Sequence, residues 1–333
     1  MTFYVIIMLL FFYWFMDMKR FTLSFCIVAL FVGIANAQQN DTKILDSYHQ
    51  KVQDALQQGA YRVNSWFGEP QKDNPATAQL RVIFDNRWDK HDGFSIKPRL
   101  RGRLKLPALK ERLNIVFGDE SIDNELENAA DISSQSLQKK PDKTFDSQQS
   151  RRDNSSLGLQ WLLDNQDDSI DSRVSLGIRS GGDIYTKLKV AKNWYHSHHL
   201  RSRTEGIYRY GSKSKHFARV NLELSHADVG KPLSKGQVFV EYKNNDDEDW
   251  HWGSSYSRQH PTGKDTWFNY GLYVGGYIEN GEFSLNTYGP FAGLRTNVYR
   301  DWLFVQPEIT YYNDKREEYD HHIGVMVRLE AQF

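Results

Sequence analysis

Residues 321–333 alternate without interruption. Ile323, Val325, Val327, Leu329, Ala331 and Phe333 hold one parity, and His322, Gly324, Met326, Arg328, Glu330 and Gln332 hold the other. A period of two sends the two sets to opposite faces of an extended strand, one apolar and one mainly polar. The same period governs the chain from about residue 76. Ala78, Leu80, Val82, Phe84 and Trp88 alternate with Gln79, Arg81, Asp85 and Arg87. Phe94, Ile96, Leu100, Leu104 and Leu106 alternate with Ser95, Lys97, Arg99, Arg101, Arg103 and Lys105. Further alternating segments fall near 112–118, 156–163, 172–180, 184–194, 200–210, 215–226, 237–243, 250–259, 267–277, 288–299 and 303–311. With the terminal segment these predict fourteen strands, or twelve, because 200–210, 250–259 and 267–277 alternate poorly.

Upstream the period is helical. Leu45, Tyr48, Val52, Leu56, Val63 and Trp66 recur at three- and four-residue steps, which predicts a helix over 41–66 with Asp41 as its N-cap and Gly68 and Pro70 as its stop. The only long apolar runs precede residue 38. Lys19 and Arg20 lead into an apolar stretch from Phe21 to Ile34, closed by Ala35-Asn36-Ala37. That is the order of a bacterial secretory signal peptide and predicts cleavage after Ala37. The first seventeen residues add a second apolar run. It is read as an over-extended start, with Met18 the initiator; the alternative is a membrane anchor.

Composition excludes several classes. A mean hydropathy of -0.65 is too polar for a bundle of transmembrane helices. A net charge of zero lacks the basic surplus that nucleic-acid binding requires. The single cysteine, Cys26, lies in the leader, so no disulfide framework, zinc cluster or iron–sulfur site is expected, and no cofactor.

A cleavable leader, no later apolar run, and an amphipathic last strand ending on an aromatic together resemble the outer-membrane β-barrel proteins of Gram-negative bacteria. The resemblance implies an all-β transmembrane antiparallel barrel of 12–14 strands with an N-terminal periplasmic amphipathic helix. Its parts are the leader at 1–37, the helix and linker at 38–75, and the barrel at 76–333 with a long external loop at 119–155. The resemblance also implies that Phe333 is the signal read by the barrel-insertion machinery, and that outer-membrane lipid and lipopolysaccharide are partners. The location implied is the outer membrane, with the N-terminus in the periplasm. Solvation physics leads to the same architecture, since a sheet in lipid must pair every backbone group and so closes on itself, apolar outside and polar within. Short turns at 107–110, 164–171, 196–199, 260–265 and 300–302 would face the periplasm. Longer loops at 119–155, 244–249, 278–287 and 313–320 would face outward. The loop at 119–155, rich in Asp, Ser, Gln and Lys, reads as mobile and external. Trp88, Trp194, Tyr195, Trp250, Trp252, Tyr299 and Trp302 lie near strand ends, where interfacial belts form.

The chemistry concentrates in one strand. Lys97, Arg99, Arg101, Arg103 and Lys105 occupy every second position, about 7 Å apart, and all face the lumen if the leucines face lipid. Arg201 and Arg203 share that phase, with other inward cations including Arg81, Arg179, Lys187, Lys189, Arg209, Arg295 and Arg328. The inward acids are Asp85, Glu205, Glu223, Glu241, Glu308 and Glu330, so cations exceed acids by about three to one. This predicts a porin-like, anion-selective lumen passing or binding anionic small solutes, with the seven cations at 97–105, 201 and 203 as its wall. The competing reading is a rigidifying Arg–carboxylate network in a non-conducting barrel for outer-membrane assembly, export or surface interaction. The helix at 41–66 either plugs the lumen or packs at the rim. No catalytic constellation stands out. His196, Ser197, His198 and His199 fall in an expected turn, and neither they nor Asp320, His321 and His322 carry the cysteines or ordered carboxylates of a convincing metal site.

Overall fold

The computed structural model describes residues 39–69, 74–108, 113–124, 144–163, 169–244, 249–279, 281–315 and 317–333. The expected leader with Cys26, and 125–143 of the long loop, lie outside the described residues. The chain divides into two units, Met1–Lys51 and Val52–Phe333. In the first, residues 39–51 form the opening of helix α1 (Gln39–Ser65). Asp41 is therefore inside the helix and not its cap. The second unit holds the rest of α1 and a β-barrel.

The strands are β1 (Thr77–Asp89), β2 (Gly93–Lys105), β3 (Leu113–Gly118), β4 (Leu157–Leu162), β5 (Ile170–Arg179), β6 (Asp183–Tyr195), β7 (Leu200–Gly211) and β8 (Lys215–His226). They continue as β9 (Leu233–Lys243), β10 (Trp250–Gly263), β11 (Thr266–Glu279), β12 (Glu282–Phe283), β13 (Thr287–Tyr299), β14 (Leu303–Asp314) and β15 (Tyr319–Gln332). All pairings are antiparallel. β1 pairs with β15, Arg81 opposite Gln332 and Asp89 opposite Gly324, and β10 pairs with both β9 and β11, so the sheet closes. The two-residue β12 pairs only with β11, which leaves a ring of fourteen strands. The poorly alternating segments are full members of it. β10 runs four residues past the expected 259, through Pro261 and a register shift, so only Lys264 and Asp265 remain as turn.

The faces follow the parity read from the sequence. Leu157, Leu176, Ile184, Val220, Leu222, Leu272 and Ile323 are exposed on the outside of the ring. Asp85, Arg99, Arg101, Lys187, Glu205, Glu223, Glu308, Arg328 and Glu330 are buried inside it. A soluble sheet buries the first set and exposes the second. Only lipid around the wall reconciles an apolar outer band with buried charge, which is the architecture of the outer-membrane barrels.

At the rim where β1 begins and β15 ends, Trp302 stacks on Phe333 and meets Tyr299 edge-on. Here Leu80 and Phe333 exchange two backbone hydrogen bonds, at 3.0 and 2.9 Å. Short turns are not confined to this rim. Connections 90–92, 180–182 and 212–214 at the opposite rim are equally tight, so the expected contrast of loop lengths rests mainly on 119–156. Helix α1 meets the barrel at the first rim through its 57, 60, 64 face. Gln57 donates to the Ala76 carbonyl, Asn64 Oδ1 accepts from the Ala108 amide at 3.0 Å, and Ala60 is fully buried. These anchors are rim contacts.

Candidate lumenal site

The register of β2 against β1 fixes the cationic row. Lys97 lies opposite Asp85, Arg99 opposite Ile83, Arg101 opposite Arg81, Arg103 opposite Gln79 and Lys105 opposite Thr77. Directly paired residues share a face, and that face is the one carrying buried Asp85 and Ile83. Arg201 and Arg203 sit on the inward parity of β7, opposite Ser225 and Glu223 of β8.

The inward cations are not left to repel one another. Asp85 receives Arg328 Nε at 2.6 Å and Arg99 Nη1 at 3.4 Å. Glu330 receives Arg81 at 2.9 Å and Arg295 at 3.2 Å. Glu205 takes Lys189 at 3.1 Å and Arg203 at 3.0 Å, while Glu223 takes Lys235 at 3.3 Å and Arg201 at 3.8 Å. These acids are all ones the sequence phasing assigned to the lumen.

A second set of acids comes from the segment following β3, and here the expectation of a wholly external loop fails. Gly118 has φ +91°, and a Cβ on it would stand 2.1 Å from the Leu100 carbonyl oxygen, so only glycine can make this exit from β3. The Asp119 amide then donates to that same carbonyl at 2.6 Å. Asp119 Oδ1 accepts from the Ser121 amide at 2.9 Å, an Asx turn that opens a 3₁₀ turn over Glu120–Asn124. The turn lies inside the lumen. Arg99 Nε donates to Asp119 at 2.7 Å, and Arg101 Nε donates to Asp123 at 3.0 Å. Glu120 Oε1 bridges Arg179 at 2.9 Å and Arg209 at 2.7 Å. Lys189 donates to the Asp123 carbonyl at 2.7 Å, and Ile122 is buried. Four strands, β2, β5, β6 and β7, thus hold one acidic hexapeptide.

The energetics of the segment are those of a desolvated ion-pair cluster. Burial pushes the Asp119 carboxyl up, but the Arg99 charge and hydrogen bonds from Ser121 and Arg99 bring it below its ordinary 3.8. Asp123 behaves alike, with burial opposed by Arg101 and then by Lys187 and Arg103. The side chains of Arg99 and Arg101 are only 2% and 8% exposed, whereas Lys97, Arg81 and Arg201 are 41%, 42% and 44% exposed. Accessible cations therefore flank a covered patch at mid-wall.

The far part of the same loop finishes the wall. β3 pairs with β2 only over Arg101–Lys105, so the upper half of β2 has no strand on that side among the described residues. Helix α2 (Ser147–Asn154), capped by Asp146, brings Asn154 to this edge. Asn154 Oδ1 accepts from the Leu100 amide at 2.7 Å, its Nδ2 donates to the Pro98 carbonyl at 2.9 Å, and the Ile96 amide donates to the Thr144 carbonyl at 2.8 Å. Pro98 supplies no N–H on an edge that lacks a ladder. Lys97 pairs with Asp153 at 3.2 Å.

Across the lumen the wall is aromatic. Phe239, Tyr273, Phe291 and Tyr312 of β9, β11, β13 and β14 form one buried cluster. A Cβ on Gly253 would stand 2.5 Å from the Phe239 ring, so the glycine lets the ring lie against the sheet, and the Arg219 guanidinium lies over that ring at 4.6 Å.

The histidine-rich turn departs from expectation in one respect. His196 Nε2 lies 2.7 Å from Ser202 Oγ, on the outward parity of β7, so a serine–histidine contact does exist at the rim. Nucleophile activation needs a third group to orient the base, and the other ring nitrogen of His196 has no partner among the described residues. No group of three or more His, Cys, Asp or Glu among the described residues could hold a metal ion.

No protein-family model matches the chain, and comparison with curated proteins finds no relative. Among solved structures it is similar to a loop-deletion mutant of OmpT, an outer membrane protein of Vibrio cholerae, at 9% identity and a TM-score of 0.47, covering 78% of this chain and 99% of that one. It is similar to the KdgM porin in complex with disordered oligogalacturonate, at 9% identity and 0.37, covering 76% and 99%. It is also similar to CdiB from Acinetobacter baumannii, at 9% identity and 0.44, covering 77% and 60%. At this level the likeness is one of fold and carries nothing about function.

Proposed function

We propose that this barrel is an outer-membrane channel, exported by the leader at 1–37 with its N-terminus in the periplasm, that passes or binds anionic solutes. The wall would be Lys97, Arg99, Arg101, Arg103, Lys105, Arg201 and Arg203, with Phe333 as the insertion signal. The carrying observation is the exposure of inward cations on both sides of the covered patch: Lys97 toward one mouth, Arg81 and Arg201 toward the other. Cations on a low-dielectric wall focus a positive potential along the path, which raises the local concentration of anions and disfavours cations. The test is single-channel conductance in a planar bilayer, with the reversal potential read under a salt gradient. Anion-selective steps that lose selectivity in R103Q/R201Q/R203Q are expected.

The paired charges favour a second reading. A mid-wall in which Asp85, Asp119, Glu120 and Asp123 answer the guanidinium groups suits a rigid, non-conducting barrel serving assembly, export or surface interaction. A barrel silent with and without residues 38–70 would decide for it.

A further inference from the structure

The Asp119–Asp123 segment is bound as a ligand is bound. It presents three carboxylates within five residues to guanidinium groups from three strands, and takes a backbone contact from a lysine on a fourth. Its hold on the wall is almost wholly ionic, since Ile122 is its one buried apolar side chain among the described residues. Of the guanidinium groups it meets, those of Arg99, Arg101 and Arg209 are nearly closed to solvent, and Arg179 is 20% exposed. Arg99 is as buried as its partner, and Arg209 is 11% exposed against 8% for Glu120. Arg99 keeps Asp85 and Arg179 keeps Asp183 when the segment leaves, but Arg101 and Arg209 have their ion pairs with Asp123 and Glu120 of the segment. A buried guanidinium without a carboxylate is strongly disfavoured, so whatever displaces the segment must bring carboxylates to these two. The Arg101 fork holds both oxygens of Asp123, and a planar fork used in this way selects a carboxylate by paired hydrogen bonds and not by charge alone.

We infer that Arg99, Arg101, Arg179 and Arg209 form a binding site for a linear polycarboxylate, whose resident occupant is the chain's own Asp119–Asp123 segment. This deepens the reading of the lumen as anion-accepting and rests on it. A soluble polycarboxylate competes with the segment for the same forks; chloride, with one charge and no bidentate geometry, does so poorly. The solute thus uncovers the path it follows.

The test uses the whole protein in detergent with hexaglutamate as probe and hexaglutamine as control. Saturating hexaglutamate is expected to raise amide hydrogen exchange of residues 120–124 at least tenfold in the wild type, with no change from hexaglutamine. D119N/E120Q/D123N, which leaves the forks without their resident, is expected to bind hexaglutamate at least tenfold more tightly than wild type. Unchanged exchange overturns the inference even if the variant does not fold, and so does a folded variant that binds no more tightly. Conduction is judged separately: an anion-selective channel with unchanged exchange keeps the channel and loses the self-bound segment. A silent barrel whose exchange responds keeps the site and loses the channel.

Discussion

Asp85 shows what single side chains do inside this ring. It stands between Arg328 at 2.6 Å and Arg99 at 3.4 Å, with every partner 6% exposed or less. Replacing it by alanine would take from Arg328 the carboxylate it holds at 2.6 Å and from Arg99 one of its two, the other being Asp119, in a space nearly closed to solvent. The expected cost is about 3–5 kcal/mol, the range for breaking a buried ion pair from one side, read as a shifted urea-unfolding midpoint in lipid vesicles. Asp228 provides the control. It meets Lys231 at 2.9 Å and His199 at 3.1 Å on an exposed turn, and the Lys231 hydrogen bond draws its carboxyl below the ordinary value. Its substitution by asparagine should leave the midpoint unmoved, because surface pairs contribute little.

The inward segment is an element whose hold depends on pH. The Asp119 and Asp123 carboxyls lie below 3.8 when folded. A depressed folded value means that the stabilisation is fully present above 3.8 and is lost as pH falls through the folded value. Amide exchange at 120–124 should therefore be constant from pH 7 to about 4 once corrected for intrinsic rates, and should rise only below that. An increase between pH 7 and 5 would point to some other titrating group. This segment is also where the sequence was least legible. Alternation reveals a strand because burial repeats every two residues. The run Gly118-Asp119-Glu120-Ser121-Ile122-Asp123 has no period, and its composition is that of a solvated tip. Its signals were chemical: a glycine at a strand end, an Asx-turn aspartate, and acids facing a cationic row that lacked enough partners. The row was legible, since Lys97 to Lys105 keep strict parity; its partners depend on pairings across β2 to β7 that no local pattern encodes.

For the whole molecule, the strands and their faces followed from parity, and closure followed from the need of a sheet in lipid to have no edge. The helix was legible as a helix over 41–66, but its stripe did not say where it would dock. The contacts come instead from Gln57, Ala60 and Asn64, which are too polar or too small to register as an apolar face. Because those contacts lie at the rim, removing residues 38–70 should leave conductance and selectivity as they are in the full chain. A conductance increase on deletion, measured in the same planar bilayer, would show that the helix obstructs the lumen. The ring itself has a further consequence. Arg81 and Glu330, 249 positions apart, meet at 2.9 Å, and Leu80 and Phe333 are joined by two backbone hydrogen bonds. The wall consequently has a chain order but no spatial beginning. A circular permutant opened in a rim turn such as 212–214, with Phe333 linked to Ala76, would preserve every ladder of the cylinder while changing which strand is made last.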